Sequence, residues 1–519
     1  MWHMFSLKKN NIFWFVLILI VLTPALYGIF HKGFFVSDDG NWMVIRFSAF
    51  YQALREGQFP VRFLARLNNG YGYPVANFLY PGFLYLGVPL KAIGFNSLEV
   101  IKILMAFFMG SGIFFSFLWL RKFFDSYSSF IGAFVYTYLP YHLYNLYTRG
   151  SVGELMSLGV VPYTLWSIER RSYFLTAIGI FLLLISHNTL ALLFLVVIFL
   201  YIFTRRFIRW AIPPIITGFF LSAFFTIPAL YDLKFTKFAA TEISNPLNHF
   251  AKLPLIGFVC LAILFLSGVS FFGSKARKHV SIAKNLEFLF IVLLMLSVIL
   301  AGSISLIFWE VFPSLWIQFP FRFLSISIIS TAFLTSYVIY HFIPRLRIFV
   351  GVCILIITFS FSLGFLFPQE YDKNEIGFYD TNESLTTTHD EYMPKTVKST
   401  QQIRVDNIVE VASGEMVIED VKSDTNQIYF KTLAKTNGVI KINRVYFPGW
   451  NVSIDNGKKI VPYTKDDGFM YVAILRGSHI VNTTFSETPV RSIADALSLV
   501  GVLLLLLPLG RVMHYKFFK

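Results

Sequence analysis

Long apolar segments separated by short clusters of Lys and Arg recur along the whole chain. Each segment is about 15 to 23 residues long, near the length with which a helix crosses the hydrocarbon core of a bilayer. With 56% hydrophobic and only 14% charged residues among its 519, the chain is too apolar for a water-soluble protein of this size. The sequence therefore predicts a polytopic α-helical membrane protein of about twelve spans, near residues 11–30, 98–120, 128–148, 152–168, 173–187, 189–203, 211–230, 253–273, 286–306, 322–343, 348–367 and 492–510.

The basic clusters fall at alternate ends of these spans. If Lys8 and Lys9 are cytoplasmic, every even-numbered span ends at a basic cluster, which satisfies the positive-inside rule. The clusters are Arg121 with Lys122, Arg170 with Arg171, Arg205 with Arg206 and Arg209, KARKHVSIAK, PRLR and RVMHYKFFK. We therefore expect both termini in the cytoplasm. A Phe-rich and Lys-rich composition without another targeting signal is typical of a bacterial plasma-membrane protein.

Two stretches leave the helix count open. Residues 173–187 and 189–203 are short for spans, and Ser186, His187 and Asn188 interrupt them, so a tight hairpin or one longer helix fits. Residues 77–95 are apolar but rich in glycine and proline, which indicates an interfacial or re-entrant segment.

The net charge of +15 does not indicate a nucleic-acid partner, because the basic residues lie between apolar runs, where they set topology and contact anionic membrane lipids. Cys260 and Cys353 both lie in apolar stretches, so they are expected to pack and not to form a disulfide framework or a CxxC metal site.

One long hydrophilic region, residues 368–488, separates the last span from the others. Its later part alternates apolar and polar residues between P-G, D-N-G, D-D-G and R-G turns, which predicts a small β-sandwich outside the membrane. Trp450 is more typical of a strand core than of a glycan-binding surface. The predicted domains are a transmembrane domain (1–367) whose first outer loop (31–97) is catalytic, an extracytoplasmic β domain (368–488), and a final helix with a cytoplasmic tail (489–519).

Unusual polar residues cluster at the outer ends of the predicted spans. Ionisable groups at membrane depth are costly unless they line a cavity or pair with each other, so their shared side predicts a polar chamber at the outer leaflet. The candidates are Asp38, Asp39, Arg62, Arg66, His142, Arg149, Glu154, His187, Asn188 and Arg322.

Each candidate also has a purely structural interpretation. His187 could cap a helix, Arg149 and Glu154 could form an ion pair, and Arg322 could reach lipid headgroups. Asp39 precedes an amphipathic segment, so it could be only an N-cap. A cap needs one carboxylate, however, and two adjacent aspartates stand at this position.

Several ordered motifs carry a resemblance to a known family. They are DD after the first span, GQFPVRF, GYGYPVANF, LYTRGSVGE, SHN, QFPFRF and YFPGWNVSIDNG. In this order they resemble the YfhO-like bacterial membrane proteins, also labelled 6-pyruvoyl-tetrahydropterin synthase-related, which are similar to GT-C glycosyltransferases. Asp39 matches the aspartate of that family, whereas Met43 and Asp38 stand where relatives often carry histidine.

The resemblance implies inverting transfer of a sugar from a polyprenyl-phosphate donor, such as undecaprenyl phosphate, to an extracytoplasmic glycan or polymer acceptor, for example teichoic acid. It implies Asp39 as the catalytic base, with Asp38 as orienting partner or alternative base. Arginines are suited to bind the donor phosphate. The expected phosphate ligands are Arg62, Arg149 and Arg322 with Arg66 behind them, and the expected cavity residues are His142, Glu154, His187 and Asn188. A divalent metal, Mg or Mn, on Asp38 and Asp39 is compatible with this chemistry but not required.

The competing class is a lipid or polysaccharide transporter or flippase. Transporters generally place polar groups near the bilayer midplane and often have repeated halves. Here the polar residues cluster on the outer side and no internal repeat is evident, which favours an enzyme. A third alternative is a non-catalytic role in envelope assembly, with the β domain as the working part.

Overall fold

The computed structural model describes residues 9–238, 249–273, 282–312, 317–387 and 389–517. Within these ranges the α-helices are α1 Lys9–Leu26, α2 Gly40–Arg55, α3 Gly82–Ala92, α4 Ser97–Leu120, α5 Ser126–Tyr138, α6 Pro140–Leu143, α7 Val152–Glu169, α8 Tyr173–Leu184, α9 Asn188–Thr204, α10 Ile208–Asp232, α11 Leu253–Ile256, α12 Phe258–Gly273, α13 Ile282–Ala301, α14 Leu306–Val311, α15 Leu324–His341, α16 Pro344–Ser362, α17 Ile376–Thr381 and α18 Pro489–Phe517.

Apolar helices long enough to cross a membrane run through much of the described chain. Among the described residues, seven helices are long and apolar enough to cross a membrane, and three further apolar helices are shorter. The prediction of a polytopic α-helical membrane protein is confirmed, whereas the count of twelve spans stays a prediction. The seven are Ile12–Phe30, Ser97–Leu120, Ile208–Phe235, Lys284–Ala301, Pro320–His341, Pro344–Phe365 and Pro489–Leu506.

The two ambiguous stretches take definite conformations. Residues 173–203 form two helices, α8 and α9, which break at Ile185 to His187. Residues 77–95 contain the end of a short 3-10 turn, Pro74–Asn77, and then α3. With 11 residues, α3 is too short to span a bilayer.

Helices α5, α12 and α13 pack around α15, whose span Pro320–His341 is 94% buried. By contrast, the spans Ile12–Phe30, Pro344–Phe365 and Pro489–Leu506 are only 28%, 22% and 17% buried, as expected for helices that face lipid. Small residues permit close packing. A Cβ on Gly501 of α18 would lie 2.6 Å from the Leu221 backbone nitrogen of α10, so these two helices approach backbone to backbone.

The C-terminal β domain consists of two antiparallel sheets, as predicted. One has the strand order β1-β4-β7-β6 and the other β2-β3-β8-β5. Trp450 lies in its core and is 1% exposed. The strands are β1 Val409–Ser413, β2 Met416–Ser423, β3 Gln427–Ala434, β4 Gly438–Val445, β5 Trp450–Ile454, β6 Tyr463–Thr464, β7 Phe469–Ile474 and β8 Gly477–Phe485.

Residues 31–97, the predicted first outer loop, pack into the core of the β domain. The Phe63 ring meets the Trp450 ring edge-on at 5.6 Å. The buried Arg444 of β4 donates hydrogen bonds to the carbonyl oxygens of Ala65 (2.7 Å) and Gly70 (2.8 Å). Hydrogen bonds from a buried guanidinium fix the loop backbone, so the loop and the β domain form one packed unit.

A buried ionic anchor joins this unit to the helices. Arg491, in the first turn of α18, pairs with Asp232 at the end of α10 at 2.9 Å, and both are buried. The Asn77 amide of the first outer loop donates to the same carboxylate at 2.9 Å. Burying these charges requires that they pair, so the three segments are held in one geometry.

Candidate functional site

The Asp38–Asp39 pair is held against the end of the stretch Tyr144–Arg149. The amide of Asp38 donates to the Thr148 carbonyl and the amide of Asp39 to the Arg149 carbonyl, both at 2.9 Å. Residues Tyr144–Arg149 form a π-helical turn, a geometry that is frequent at functional sites. Two backbone hydrogen bonds therefore fix both aspartates relative to Arg149.

A glycine permits this close approach. Gly150 follows the π turn with φ +61°, the left-handed region that favours glycine. A Cβ at this position would lie 2.9 Å from the Cα of Gly40 and would also contact the Ser37 hydroxyl. The sequence TRG after the aromatic run thus brings the two segments together.

Asp39 occupies the N-cap position of α2, but its side chain does not cap the helix. The Ser37 hydroxyl instead accepts a hydrogen bond from the Gly40 amide at 3.2 Å. The Asp39 carboxylate faces Arg149, with Nη2 3.0 Å from Oδ2, and the Asp38 carboxylate lies 3.8 Å from Arg149 Nε. The interpretation of Asp39 as only an N-cap is therefore wrong.

Glu154 is the centre of the cluster. It is fully buried in the first turn of α7 and accepts a hydrogen bond from Arg322 Nε at 2.9 Å and one from the Tyr141 hydroxyl at 3.2 Å. Arg149 Nη2 lies 4.0 Å and His187 Nε2 3.7 Å from the same carboxylate. One carboxylate thus orients two guanidinium groups that come from distant parts of the chain.

His187 both caps a helix and faces Glu154. Its Nδ1 accepts a hydrogen bond from the Leu190 amide at 3.3 Å, which caps α9. An accepting Nδ1 leaves the proton of the neutral ring on Nε2, the nitrogen that faces Glu154. The Tyr80 ring packs on the imidazole, with centroids 4.7 Å apart.

Aromatic rings from the QFPFRF motif border the two guanidinium groups. The Phe319 and Phe321 rings stack at 5.1 Å, and the Arg149 Cζ lies 5.2 Å and 5.3 Å from their centroids. The Arg322 Cζ lies 4.9 Å from the Phe319 centroid. Cation–π contacts of this kind hold planar guanidinium groups without neutralising them.

Sequence reasoning missed several residues of this site. Gln318 accepts a hydrogen bond from Arg322 Nη1 at 2.9 Å, and the His249 ring lies 4.9 Å from the Phe319 ring. The motif QFPFRF was recognised, but only its arginine was singled out. The missed residues are Tyr80, Tyr141, His249, Gln318, Phe319 and Phe321.

Arg62 and Arg66 lie outside this cluster. Arg62 is 2% exposed, and its guanidinium donates to Glu487 (3.1 Å), Asp495 (3.1 Å) and the Phe224 carbonyl (2.6 Å). Arg66 donates to the Asp380 carbonyl at 2.6 Å. Neither contacts the Asp38–Asp39 pair, and their phosphate-binding role stays a prediction.

His142 and Asn188 are also apart from the cluster. His142 is fully buried, and its Nδ1 lies 3.0 Å from the Tyr136 carbonyl. Asn188 is exposed and donates to the Phe78 carbonyl at 3.2 Å. The predicted site residues that the structure brings together are Asp38, Asp39, Arg149, Glu154, His187 and Arg322.

Partial burial of the carboxyl raises the pKa of Asp38 above its usual value. The nearby Arg149 guanidinium opposes this shift, and the Asp39 charge adds to it. The carboxyl of Asp38 therefore binds a proton at a higher pH than an ordinary aspartate.

A metal on the aspartate pair would need further ligands. Asp38 and Asp39 offer two carboxylates that already face Arg149, and among the described residues no group of three or more His, Cys, Asp and Glu forms a ligand set. Mg²⁺ is often held by one or two carboxylates with waters and substrate oxygens. The aspartate pair could therefore hold a metal only if water or substrate oxygens supplied the remaining ligands. Binding of Mg or Mn stays a prediction.

No protein-family model and no curated protein matches this chain. Among solved structures, it is similar to the arabinofuranosyltransferase AftD from Mycobacteria (TM-score 0.47, 13% identity), with 70% of this chain and 27% of that chain covered. It is also similar to the Archaeoglobus fulgidus oligosaccharyltransferase in the apo form (TM-score 0.45, 13% identity; 69% and 57% covered).

A third similar structure is the archaeal oligosaccharyltransferase AglB from Archaeoglobus fulgidus, in complex with an inhibitory peptide and a dolichol-phosphate. Its TM-score is 0.40 at 13% identity, with 71% of this chain and 57% of that chain covered. The chain thus spans from about a quarter to just over half the length of these proteins. We therefore argue function from the residues of this chain, and the resemblance to the YfhO-like family stays a prediction.

Proposed function

We propose that this protein is a membrane glycosyltransferase that transfers a sugar from a polyprenyl-phosphate-linked donor to an extracytoplasmic acceptor, with inversion at the anomeric carbon. The observation that supports this proposal is the position of Arg149. Its guanidinium lies between the accessible aspartate pair, 3.0 Å from Asp39, and the buried Glu154, 4.0 Å away, which also binds Arg322. A proton acceptor thus stands beside two phosphate-binding groups.

The three carboxylates of the site differ in solvent exposure, and this difference indicates which of them can contact substrate. The side chains of Asp38 and Asp39 are 54% and 27% exposed, whereas that of Glu154 is 0% exposed. An acceptor hydroxyl can reach only the accessible pair. Glu154 is then a positioning residue, which orients Arg149 and Arg322.

The reaction needs one base and a stabilised leaving group. Asp39 takes the proton of the acceptor hydroxyl as its oxygen forms a bond to the anomeric carbon. The bond between that carbon and the phosphate oxygen breaks, and polyprenyl phosphate leaves with the electron pair. The positive charges of Arg149 and Arg322, whose side chains are only 7% and 6% exposed, stabilise the charge that develops on the phosphate from the buried side of the site.

We choose Asp39 as the base because of its position: it lies nearer than Asp38 to the guanidinium proposed to hold the phosphate, at 3.0 Å against 3.8 Å. Asp38 then orients the same guanidinium or serves as the alternative base. In-line displacement puts the acceptor oxygen and the leaving phosphate on opposite faces of the anomeric carbon, so the sugar lies between Asp39 and the bound phosphate.

The location of the site suits a lipid-linked donor. The aspartates follow α1, and Glu154 and His187 lie at the ends of α7 and α9 that share this side. The phosphate of a polyprenyl donor lies at such an interface. We propose a bacterial plasma membrane with both termini cytoplasmic, the β domain outside, and a cell-surface polymer such as teichoic acid as acceptor.

The decisive experiment measures sugar transfer from radiolabelled undecaprenyl-phosphate sugars in membranes, with envelope extract as acceptor. The intact protein is compared at equal abundance with Asp39→Asn and with Asp466→Asn, whose carboxylate is exposed on the β domain and pairs with Lys398. We expect transfer with the intact protein and Asp466→Asn, and its loss with Asp39→Asn.

Two results would contradict the proposal. Equal transfer by Asp39→Asn would remove this residue from the mechanism. Absence of transfer from every donor, together with movement of labelled lipid across the membrane, would identify a flippase.

A further inference from the structure

An arginine-lined pocket lies where the α7–α8 and α9–α10 connections meet. Its volume is about 530 Å³. We call it the arginine pocket, and its lining residues are Arg171, Phe203, Arg206, Phe207, Ile208, Arg209 and Trp210.

The arginine pocket and the candidate site lie at opposite ends of α7 and α9. Glu154 is in the first turn of α7, and Arg171 follows the last turn of that helix. Similarly, α9 begins after His187 and ends at Thr204, just before the pocket. A helix of 18 residues, such as α7, is about 27 Å long, so the two sites are separated by roughly the thickness of a bilayer core.

Two of the arginines occupy backbone positions that favour glycine. Arg171 and Arg206 have φ of 47° and 56°. Each stands at the first left-handed position after its helix, closed by hydrogen bonds such as Arg171 N to the Ile168 carbonyl at 2.9 Å and Arg206 N to the Phe203 carbonyl at 3.0 Å. A non-glycine residue there costs about 1 kcal/mol. The chain thus places arginine where glycine would be more stable, twice, around one pocket.

Ion pairing within the described residues neutralises the neighbouring Arg205 but not the pocket arginines. Arg205 is bound by Glu169, with Nε and Nη2 each 2.7 Å from a carboxylate oxygen. In the described parts of the chain, no carboxylate pairs with Arg171, Arg206 or Arg209. The Arg171 Cζ lies 4.2 Å from the centroid of the Phe207 ring, which holds the guanidinium without reducing its charge.

Exposed apolar side chains continue from the pocket along α9 and α10. They face outward on the membrane-spanning surface, where acyl chains lie. Trp210 stands at the pocket itself, as is typical of the membrane–water interface. These apolar side chains are Phe199, Phe203, Ile208 and Ile212, 61%, 62%, 37% and 49% exposed.

We propose that the arginine pocket binds the phosphate-bearing headgroup of an anionic phospholipid of the cytoplasmic leaflet. The guanidinium groups bind the phosphate oxygens, and the acyl chains lie against the apolar side chains of α9 and α10. A free phosphate ion would share the first interaction but would gain nothing from the second.

The test uses quenching of Trp210 fluorescence by brominated lipids in reconstituted vesicles. The chain contains 9 tryptophans, so the Trp210 signal is obtained as the difference between the protein and Trp210→Phe. Brominated phosphatidylglycerol in phosphatidylcholine is compared with brominated phosphatidylcholine at the same fraction. We expect stronger quenching by the anionic lipid, weakened by salt.

The variant Arg171→Gly with Arg206→Gly separates binding from folding. Glycine relieves the left-handed backbone, so thermal stability should not fall, while the preference for the anionic lipid should fall about fivefold per arginine removed. The matched control is Arg121→Gln with Arg345→Gln, two exposed arginines that do not line the pocket. This control should keep the preference.

Three outcomes would overturn the proposal. They are equal quenching by both lipids in the intact protein, an unchanged preference in the double glycine variant, and loss of the preference when inorganic phosphate is added at constant ionic strength. The last outcome would assign the pocket to a free anion.

Discussion

The guanidinium of Arg149 lies 3.0 Å from the carboxylate of Asp39, and it is itself almost completely buried. Its Nη2 also lies 4.0 Å from the buried Glu154. Arg149 therefore connects an accessible aspartate with the interior of the helix bundle. Changes that move the segment around Arg149 should affect the proposed chemistry without touching Asp39.

Gly150 offers the sharpest test of this geometry. In Gly150→Ala, the added methyl group would clash with Gly40 and Ser37 at φ +61°, so the aspartate pair must move away from Arg149. We expect sugar transfer to fall about 100-fold, because a displacement of about 1 Å can cost this much. Transfer rates are measured at equal membrane abundance.

The control for Gly150→Ala is Gly57→Ala. Gly57 also has a positive φ, +91°, but a Cβ there has no atom within 4 Å. Gly57→Ala therefore introduces backbone strain without a steric clash, and sugar transfer should be nearly unchanged. Equal losses in both variants would attribute the effect to strain alone.

The buried pair of Glu154 and Arg322 should stabilise the fold strongly. Their side chains are 0% and 6% exposed, so Glu154→Gln leaves a buried guanidinium without its charge partner. We expect a loss of about 3 kcal/mol, because breaking a buried ion pair typically costs this much. Thermal unfolding in detergent measures it as a lowered Tm.

The exposed pair of Lys398 and Asp466 serves as the comparison for Glu154→Gln. Its side chains are 70% and 83% exposed, and exposed pairs contribute little. Lys398→Gln should leave the Tm unchanged. A Tm for Glu154→Gln that equals this control would show that Glu154 does not hold the guanidinium groups.

The pKa of Asp38 sets a pH dependence. Because burial raises this pKa, Asp38 is protonated at a pH at which an ordinary aspartate is still charged. As the pH falls, Asp38 loses the negative charge that faces Arg149. Sugar transfer should therefore begin to decline at a pH above the range in which ordinary aspartates titrate. In Asp38→Asn the acid limb of kcat/KM should move to lower pH. An unchanged limb would exclude Asp38 as its source.

The sequence predicted which side of the membrane each candidate occupies but not its lateral position. The predicted topology puts Arg62 and Arg149 on the same side of the membrane, yet only Arg149 lies beside the aspartates. The partners of Arg62, Glu487 and Asp495, are 425 and 433 residues away in the chain, so no local pattern reveals them. The alternation of basic clusters along the chain predicts helix orientation, and it does not predict contacts between residues so far apart in sequence.

Aromatic residues were missed for a different reason. In a chain with 60 phenylalanines, Phe319 and Phe321 look like ordinary membrane-facing residues. Only the structure shows that they border two guanidinium groups. The β-sandwich, by contrast, was predictable because turn residues and alternation are local signals.

The anchor between Asp232 and Arg491 should hold the first outer loop and the β domain in place. In Asp232→Asn, the buried Arg491 loses its charge partner at 2.9 Å, and Asn77 loses a carboxylate acceptor. We expect a stability loss of about 3 kcal/mol and faster proteolysis of residues 368–488 in sealed vesicles. The control is Asp495→Asn on α18, the helix of Arg491, which removes a carboxylate that is 26% exposed and should have a smaller effect. Equal protection of Asp232→Asn and the intact protein would mean that packing of Phe63 against Trp450 suffices to hold the β domain.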